Sequence, residues 1–320
     1  MTDTPPAAPP ANPFTQFIPQ RSAGLKLLLV CGLALLMAIP ALFVFGIVQD
    51  RRMGADRALD EVSQAIGGAQ SLLGPVLVLP YSRAPNPSRP NDVVYGTVIA
   101  FAETGTADAD VQVTERKRGI HTIPVFDAQV TFEATFDPGA LHAALPEGAD
   151  PIWADARLYL GVSDTRGIRE AFRVTANGKP VSMEPAPYRY SMDQSYQPVP
   201  SSGVKLAGGM IKDLDSLEAP LRVSAALRLS GAERFAVGPF AKDTSFTLKS
   251  NWDDPSFQGG KLPDTHTASV KGVDGFTASW RVPYLARDIP GAGSNIDLAD
   301  VTEWNRRDMA VRFMKEVSPY

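Results

Sequence analysis

The chain is poor in the side chains that build reactive centres. It has one cysteine, Cys31, among 320 residues, and none follows it. That excludes a disulfide framework and a cysteine metal site from everything C-terminal to residue 31. It suits an oxidising compartment, where stray thiols are a liability, without requiring one. Histidine is scarce as well. His121, His142 and His266 lie far apart and match no H-E-x-x-H or similar spacing. Lys and Arg (31) roughly balance Asp and Glu (35), for a net charge of −4. No block of basic residues stands out, so a nucleic-acid footprint is missing. A repeat of fixed period is absent, and so is G-x-S-x-G.

One long stretch does lack charge altogether: Leu27–Val48, LLLVCGLALLMAIPALFVFGIV. At 1.5 Å per residue it makes a helix of about 33 Å, against a bilayer core of roughly 30 Å. A cleaved export signal has a shorter apolar region ending in small residues. This run instead ends in Gln49-Asp50-Arg51-Arg52 with no A-x-A before it. A buried soluble helix would carry polar residues on one face. The segment therefore reads as an uncleaved membrane anchor over 25–48. Pro40 predicts a kink, which a membrane helix tolerates. Arg21 and Lys26 flank one end, and Arg51, Arg52 and Arg57 the other, so the positive-inside count does not decide the orientation.

Residues 1–24 hold a Pro-rich stretch with few large apolar groups, MTDTPPAAPPANPFTQFIPQ, and read as a disordered tail. Beyond the anchor, Ala55, Leu59, Val62, Ile66, Ala69 and Leu73 recur in steps of four and three. This predicts an amphipathic helix over 49–74, stopped at Gly74-Pro75. Its apolar stripe needs cover, from the chain's own β domain or from a second copy.

From residue 75 the period becomes two. Val130, Phe132, Ala134 and Phe136 alternate with polar neighbours, as do Leu158, Leu160 and Val162, and Val223, Ala225, Leu227 and Leu229. Val93–Phe101, Thr244–Ser250 and Gly275–Val282 are further strands. Alternation means one buried and one wet face, the pattern of antiparallel sheets. The fold class is mainly β: a membrane helix and an amphipathic helix, then one sandwich-like antiparallel domain over 75–320, of two packed sheets.

Four constellations invite a chemical reading. Ser163 lies in LYLGVSDTRGI (158–168) after a strand, but no helix follows as a nucleophile elbow needs. The competing reading is a tight turn in which Asp164 caps backbone amides and Arg166 pairs with a carboxylate. Asp253 and Asp254 adjoin Trp252 in SNWDDPSFQGGKLPD (250–264). Paired carboxylates beside an aromatic suit glycoside hydrolysis, whereas adjacent turn residues diverge. The architectural alternative has Trp252 and Phe257 packing a corner whose path Pro255 and Gly259 set. Tyr188, Tyr190 and Tyr196 stand among prolines in 184–202, either exposed for a ligand or lying over the core. Glu115-Arg116-Lys117-Arg118 reads as a solvated edge. Neither a cofactor nor a metal is implied. The candidate partner or ligand surfaces are Leu59, Val62 and Ile66 on the stripe and Tyr188, Tyr190 and Tyr196 on the loop.

The order of segments resembles the CreD family of bacterial inner-membrane proteins. RSAGLKLLLVCGLALLMAIP (21–40), EVSQAIGGAQSLLGPVLVLPY (61–81), ERKRGIHTIPVFDAQVTFEATFD (115–137), GVSDTRGI (161–168), SNWDDPSFQGGKLP (250–263) and GFTASW (275–280) carry the resemblance. It implies a cytoplasmic N-terminus, one membrane helix, a periplasmic domain and then further membrane helices. It also implies a two-component regulon, colicin tolerance, envelope maintenance and an altered β-lactam response, with no enzymatic activity established. The sequence ends at MKEVSPY (314–320), where those further helices are expected to begin, so a C-terminally short member is expected. The expected partners are the bilayer and another inner-membrane protein or a cell-wall component. The expected role is non-enzymatic support of envelope integrity. The rival is a tethered periplasmic hydrolase of glycan or peptide, using Asp253, Asp254, Ser163 and His121.

Overall fold

The computed structural model describes residues 23–84, 92–119, 121–186, 204–212, 214, 216–267, 275–287, 290–294, 296 and 308–314. The chain divides into two compact units, Met1–Asp56 and Arg57–Tyr320. Helix α1 (Ala23–Ile66) runs through Pro40. Its Gly24–Asp50 portion is the one helix among the described residues long and apolar enough to cross a membrane, with mean hydropathy 2.8. Its large apolar side chains are exposed all round, as an apolar solvent allows.

The second unit begins with the last turns of α1. Among the described residues seventeen strands follow: β1 (Gln70–Arg83), β2 (Val94–Arg118), β3 (His121–Phe136), β4 (Ala149–Pro151), β5 (Arg157–Val162), β6 (Arg173–Ala176), β7 (Lys179–Val181), β8 (Glu184–Ala186), β9 (Lys205–Met210), β10 (Leu221–Ala232), β11 (Arg234–Val237), β12 (Ala241–Ser250), β13 (Pro255–Gly259), β14 (Thr265–Thr267), β15 (Phe276–Val282), β16 (Ala292–Gly293) and β17 (Met309–Phe313). Two short helices interrupt them, α2 (Pro138–Ala144) and α3 (Tyr284–Arg287).

The strands form a large, curled, mainly antiparallel sheet domain, as expected, in which two ladders are joined into one sheet by β2. The cause is the length of β2. Its first half pairs with β1 in the ladder β8–β9–β5–β1–β2. Its second half joins β15–β12–β2–β3–β10–β6–β7. The curl then returns on itself. At Glu233, with φ 67°, strand β10 gives way to β11, which pairs with β1. Most ladders are antiparallel, but β1–β11 and β12–β2 are parallel.

The amphipathic helix ends at Ile66, eight residues before the expected boundary. Gly67 takes φ 96°, which stops the helix, and Gln70 already opens β1. Ala69 and Leu73 therefore do not continue the stripe. SLLGPVLVLP is buried on both faces as the strand between β2 and β5. A continuous apolar run of this kind does not distinguish strand from helix by period alone. Gly74-Pro75 falls where the β1–β5 register shifts between Leu73 and Val76, so it marks a bulge rather than a helix stop.

The inner faces of the curl share one core. Phe126 meets Phe235 edge-on at 5.8 Å, Phe246 stacks on Trp280 at 5.0 Å, and Phe257 meets Trp280 at 5.8 Å. Ala58 is buried against Ile123, Val125 and Ala232, and Leu59, Val62 and Ile66 pack half-buried on the same group. The stripe is thus partly covered by the β domain of its own chain.

Candidate functional site

The outward face of the β12–β2–β3–β10–β6 ladder is polar because alternate residues of each strand must point away from the core. On β2, Ala107, Ala109, Val111 and Val113 are buried while Thr106, Asp108, Asp110 and Gln112 are exposed. Register aligns these exposed positions into rows. One row runs Thr247, Asp108, Thr131, Ala226, Arg173 across five strands. The next runs Lys249, Asp110, Gln129, Arg228. Together these rows line a groove of about 450 Å³, which Glu170 also borders. Arg228 is tied to Asp127 at 3.1 Å and to Glu170 at 3.2 Å. Asp110 accepts from Gln112 at 2.6 Å.

A second polar cluster fastens the end of α1. Asp164 Oδ2 accepts from the Gly68 amide at 3.0 Å, and its carboxylate also holds the Arg166 guanidinium and backbone amide. Ser163 Oγ donates to the Ala69 carbonyl at 2.8 Å and accepts from the Ser71 amide at 2.9 Å. Gln70, fully buried, donates to the carbonyls of Asp164 and Ser230. Ser230 Oγ donates to the Ile66 carbonyl at 2.5 Å. The Arg166 hydrogen bond, joined by the Gly68 amide, overcomes desolvation and brings the Asp164 carboxyl down to about 2. The clasp needs a glycine at 167: a Cβ there would lie 2.2 Å from the Ser230 carbonyl oxygen and 2.3 Å from Gln70 Nε2.

Two ionisable groups are buried elsewhere. Arg287 is fully buried, 3.8 Å above the Phe101 ring, with no hydrogen-bond partner among the described residues for its three guanidinium nitrogens. Desolvation pushes it down to about 9. Asp308 is held by Arg234, which also donates to Ser71 Oγ. Burial raises the Asp308 carboxyl despite that cation.

The residues singled out from sequence do not converge on one centre. Ser163 spends its hydroxyl on backbone, in the turn reading and not as a nucleophile. Asp253 and Asp254 are exposed between β12 and β13. His121 opens β3. His142 lies against Trp153, and His266 against Phe257. No group of three His, Cys, Asp or Glu able to hold a metal occurs among the described residues. Trp252 Nε1 donates to the Asp254 carbonyl at 3.1 Å, and its ring meets Phe313. Pro255 and Phe257 pair with Phe313 and Val311, and Gly259, at φ 94°, sits against the Asp308 carbonyl. These packing and hydrogen-bond contacts hold the corner. It contains strand β13, where the sequence suggests only a turn. Tyr188, Tyr190 and Tyr196 lie outside the described residues.

Comparison with known proteins decides the family. The model of the family described as inner membrane protein CreD matches residues 22–320. This chain belongs to the CreD family. Among curated proteins, inner membrane protein CreD of Escherichia coli (strain K12) is 27% identical over 268 residues, covering 82% of this chain. The chain spans 56% of that relative's length.

The segments carrying the CreD resemblance now have structural roles. GVSDTRGI is the clasp, SNWDDPSFQGGKLP is the Trp252 corner, and ERKRGIHTIPVFDAQVTFEATFD is the β2–β3 hairpin. At that hairpin's end Arg118 donates to Glu61 of α1 at 2.8 Å. The polar rows and buried Arg287 were missed. The alternation on β2 is visible in sequence, but the rows exist only once the register of five strands is fixed.

Proposed function

We propose that this CreD-family chain is a non-enzymatic inner-membrane protein with its N-terminus in the cytoplasm and its β domain in the periplasm. There it supports envelope integrity and stress tolerance, including the response to colicins and β-lactams. It acts by binding a cell-wall component or another inner-membrane protein through the β domain. The observation carrying this reading is the pairing of one apolar span with a curled sheet whose groove is lined by exposed polar side chains. Among the described residues that line it, the groove holds carboxylates, cations and hydroxyls, but no histidine, cysteine or serine that could serve as a base–nucleophile pair. The half-exposed Leu59, Val62 and Ile66, and Tyr188, Tyr190 and Tyr196, are secondary candidates for the partner surface.

The test is complementation. Residues 1–320 are expressed in a strain lacking its full-length relative, beside that relative, and scored for envelope-stress and colicin phenotypes. Rescue is expected. Failure with the protein at normal level in the membrane overturns the assignment of the function to these residues.

A further inference from the structure

The groove on the outward sheet face has a charge pattern that selects among ligands. Its ends differ. Asp108 on β2 has Thr247 and Thr131 as its cross-strand neighbours, both neutral hydroxyls. Neither Asp108 nor Arg173 makes an ion pair with a described residue. Asp110, one position on along the same face, stands opposite Lys249 and accepts from Gln112. Arg228 is held by Asp127 and Glu170. Arg228 is thus neutralised by its ion pairs, while Asp110 and Lys249 face each other one strand spacing apart without a close ion pair among the described residues. In the other row a carboxylate, Asp108, and a guanidinium, Arg173, stand three strands apart with no charged cross-strand neighbour. The residues between them, Thr131 and Ala226, are small and set the floor.

The distance between those charges limits the ligand. Asp108 and Arg173 are separated by three strand spacings, β2 to β3 to β10 to β6. At 4.7–4.9 Å per spacing this is about 14 Å. A zwitterion with its two charges on neighbouring atoms cannot reach both ends. An extended peptide gains at most about 3.3–3.6 Å per residue, so about four residues carry a free amine to Asp108 and a free carboxylate to Arg173. Side-chain and backbone amides between them meet the Thr131 hydroxyl. A sugar chain fits less well, because no aromatic ring stands among the described residues lining the groove to stack on it.

We propose that this groove binds a short extended peptide bearing a free amine at one end and a free carboxylate at the other, with Asp108 holding the amine and Arg173 the carboxylate. The proposal rests on the reading of the β domain as a binding domain and names its ligand class.

The test uses the full chain in lipid nanodiscs and calorimetric titration with tetra-alanine. Unmodified, N-acetylated and C-amidated forms are compared. Asp108 and Arg173 are both exposed, so Asp108→Asn and Arg173→Gln should keep the fold, which circular dichroism checks. Saturable binding of the unmodified peptide is expected, weakened about tenfold by either cap and by either substitution. Acetylation should then cost Asp108→Asn nothing further, and amidation should cost Arg173→Gln nothing further. No saturable binding, equal binding of capped peptides, or caps that still weaken the matching variant each overturn the proposal. The same variants go into the complementation strain. Rescue by residues 1–320 without peptide binding sinks the ligand class and leaves the envelope reading standing. Peptide binding without rescue does the reverse.

Discussion

Asp164 and Arg287 show how one burial rule gives opposite outcomes. Asp164 is partly buried, but two backbone amides and Arg166 surround it, so the charged form is favoured and its carboxyl falls to about 2. A folded-state value below the unfolded one means stability present above about pH 4 and lost as pH falls toward 2. The shift corresponds to ~2 kcal/mol, and solvent screening of the half-exposed Arg166 lowers the expected contribution to about 1 kcal/mol. Asp164→Asn should therefore unfold more easily than the wild type at pH 6 by about that amount. Chemical denaturation at several pH values should show the gap closing toward pH 2. A gap independent of pH would mean the carboxylate's charge is irrelevant to the clasp. Arg287 has no such partners among the described residues. Its desolvation costs several kcal/mol, against ~2 kcal/mol from a buried cation–π contact with Phe101. Replacing it with an apolar residue of similar length, Arg287→Met, should raise stability by about 1–2 kcal/mol at neutral pH, read as a higher denaturation midpoint. A loss of stability would show that an anion satisfies the guanidinium in the native protein.

At the scale of elements, the junction between α1 and β1 concentrates the constraints. Four consecutive residues, Ile66 to Ala69, turn the chain from helix to strand, held by hydrogen bonds from the 163–167 segment and the end of β10 and by the Gly67 amide, which donates back to the Ser63 carbonyl. Gly167→Ala should destabilise the domain by about 1–3 kcal/mol, the range for overpacking, because its Cβ would meet the Ser230 carbonyl oxygen as well as the buried Gln70 side chain. Thermal unfolding of the variant checks this, and a midpoint unchanged from wild type would show that Ser230 and Gln70 yield. This junction also marks where sequence reading succeeds and fails. Asp164, Arg166 and the turn were legible, since Asp and Gly carry strong local preferences. The boundary at Ile66 was not. Leu73 sits at helical spacing by coincidence, and only the long-range pairing of Leu72 and Leu73 with Val162 and Gly161 makes that stretch a strand. The β13 strand escaped for the same reason: its partner β17 lies some fifty residues later, beyond any local pattern.

Across the whole molecule, alternation made the mainly β class readable and each long strand locatable. The joining of ladders through β2 was not, because it depends on one strand being long enough to serve two partners. Orientation was the other open point, and here the scarcity of cysteine becomes a tool. Cys31 is the only native thiol and lies within the apolar span. A bilayer around that span shields it from a charged maleimide, so any label reports an introduced cysteine. Thr131→Cys is on the outward sheet face and exposed. Thr4→Cys precedes the span. If the N-terminus is cytoplasmic, the impermeant reagent applied to intact spheroplasts should label Thr131→Cys and spare Thr4→Cys, and lysis should expose the second. The reverse pattern would put the β domain in the cytoplasm, and with it the groove, the clasp and their partners. Flanking charge is nearly even on the two sides of the span, so this measurement supplies what the positive-inside count does not. It also bears on every binding experiment above, because a groove facing the periplasm meets a different set of peptides from one facing the cytoplasm.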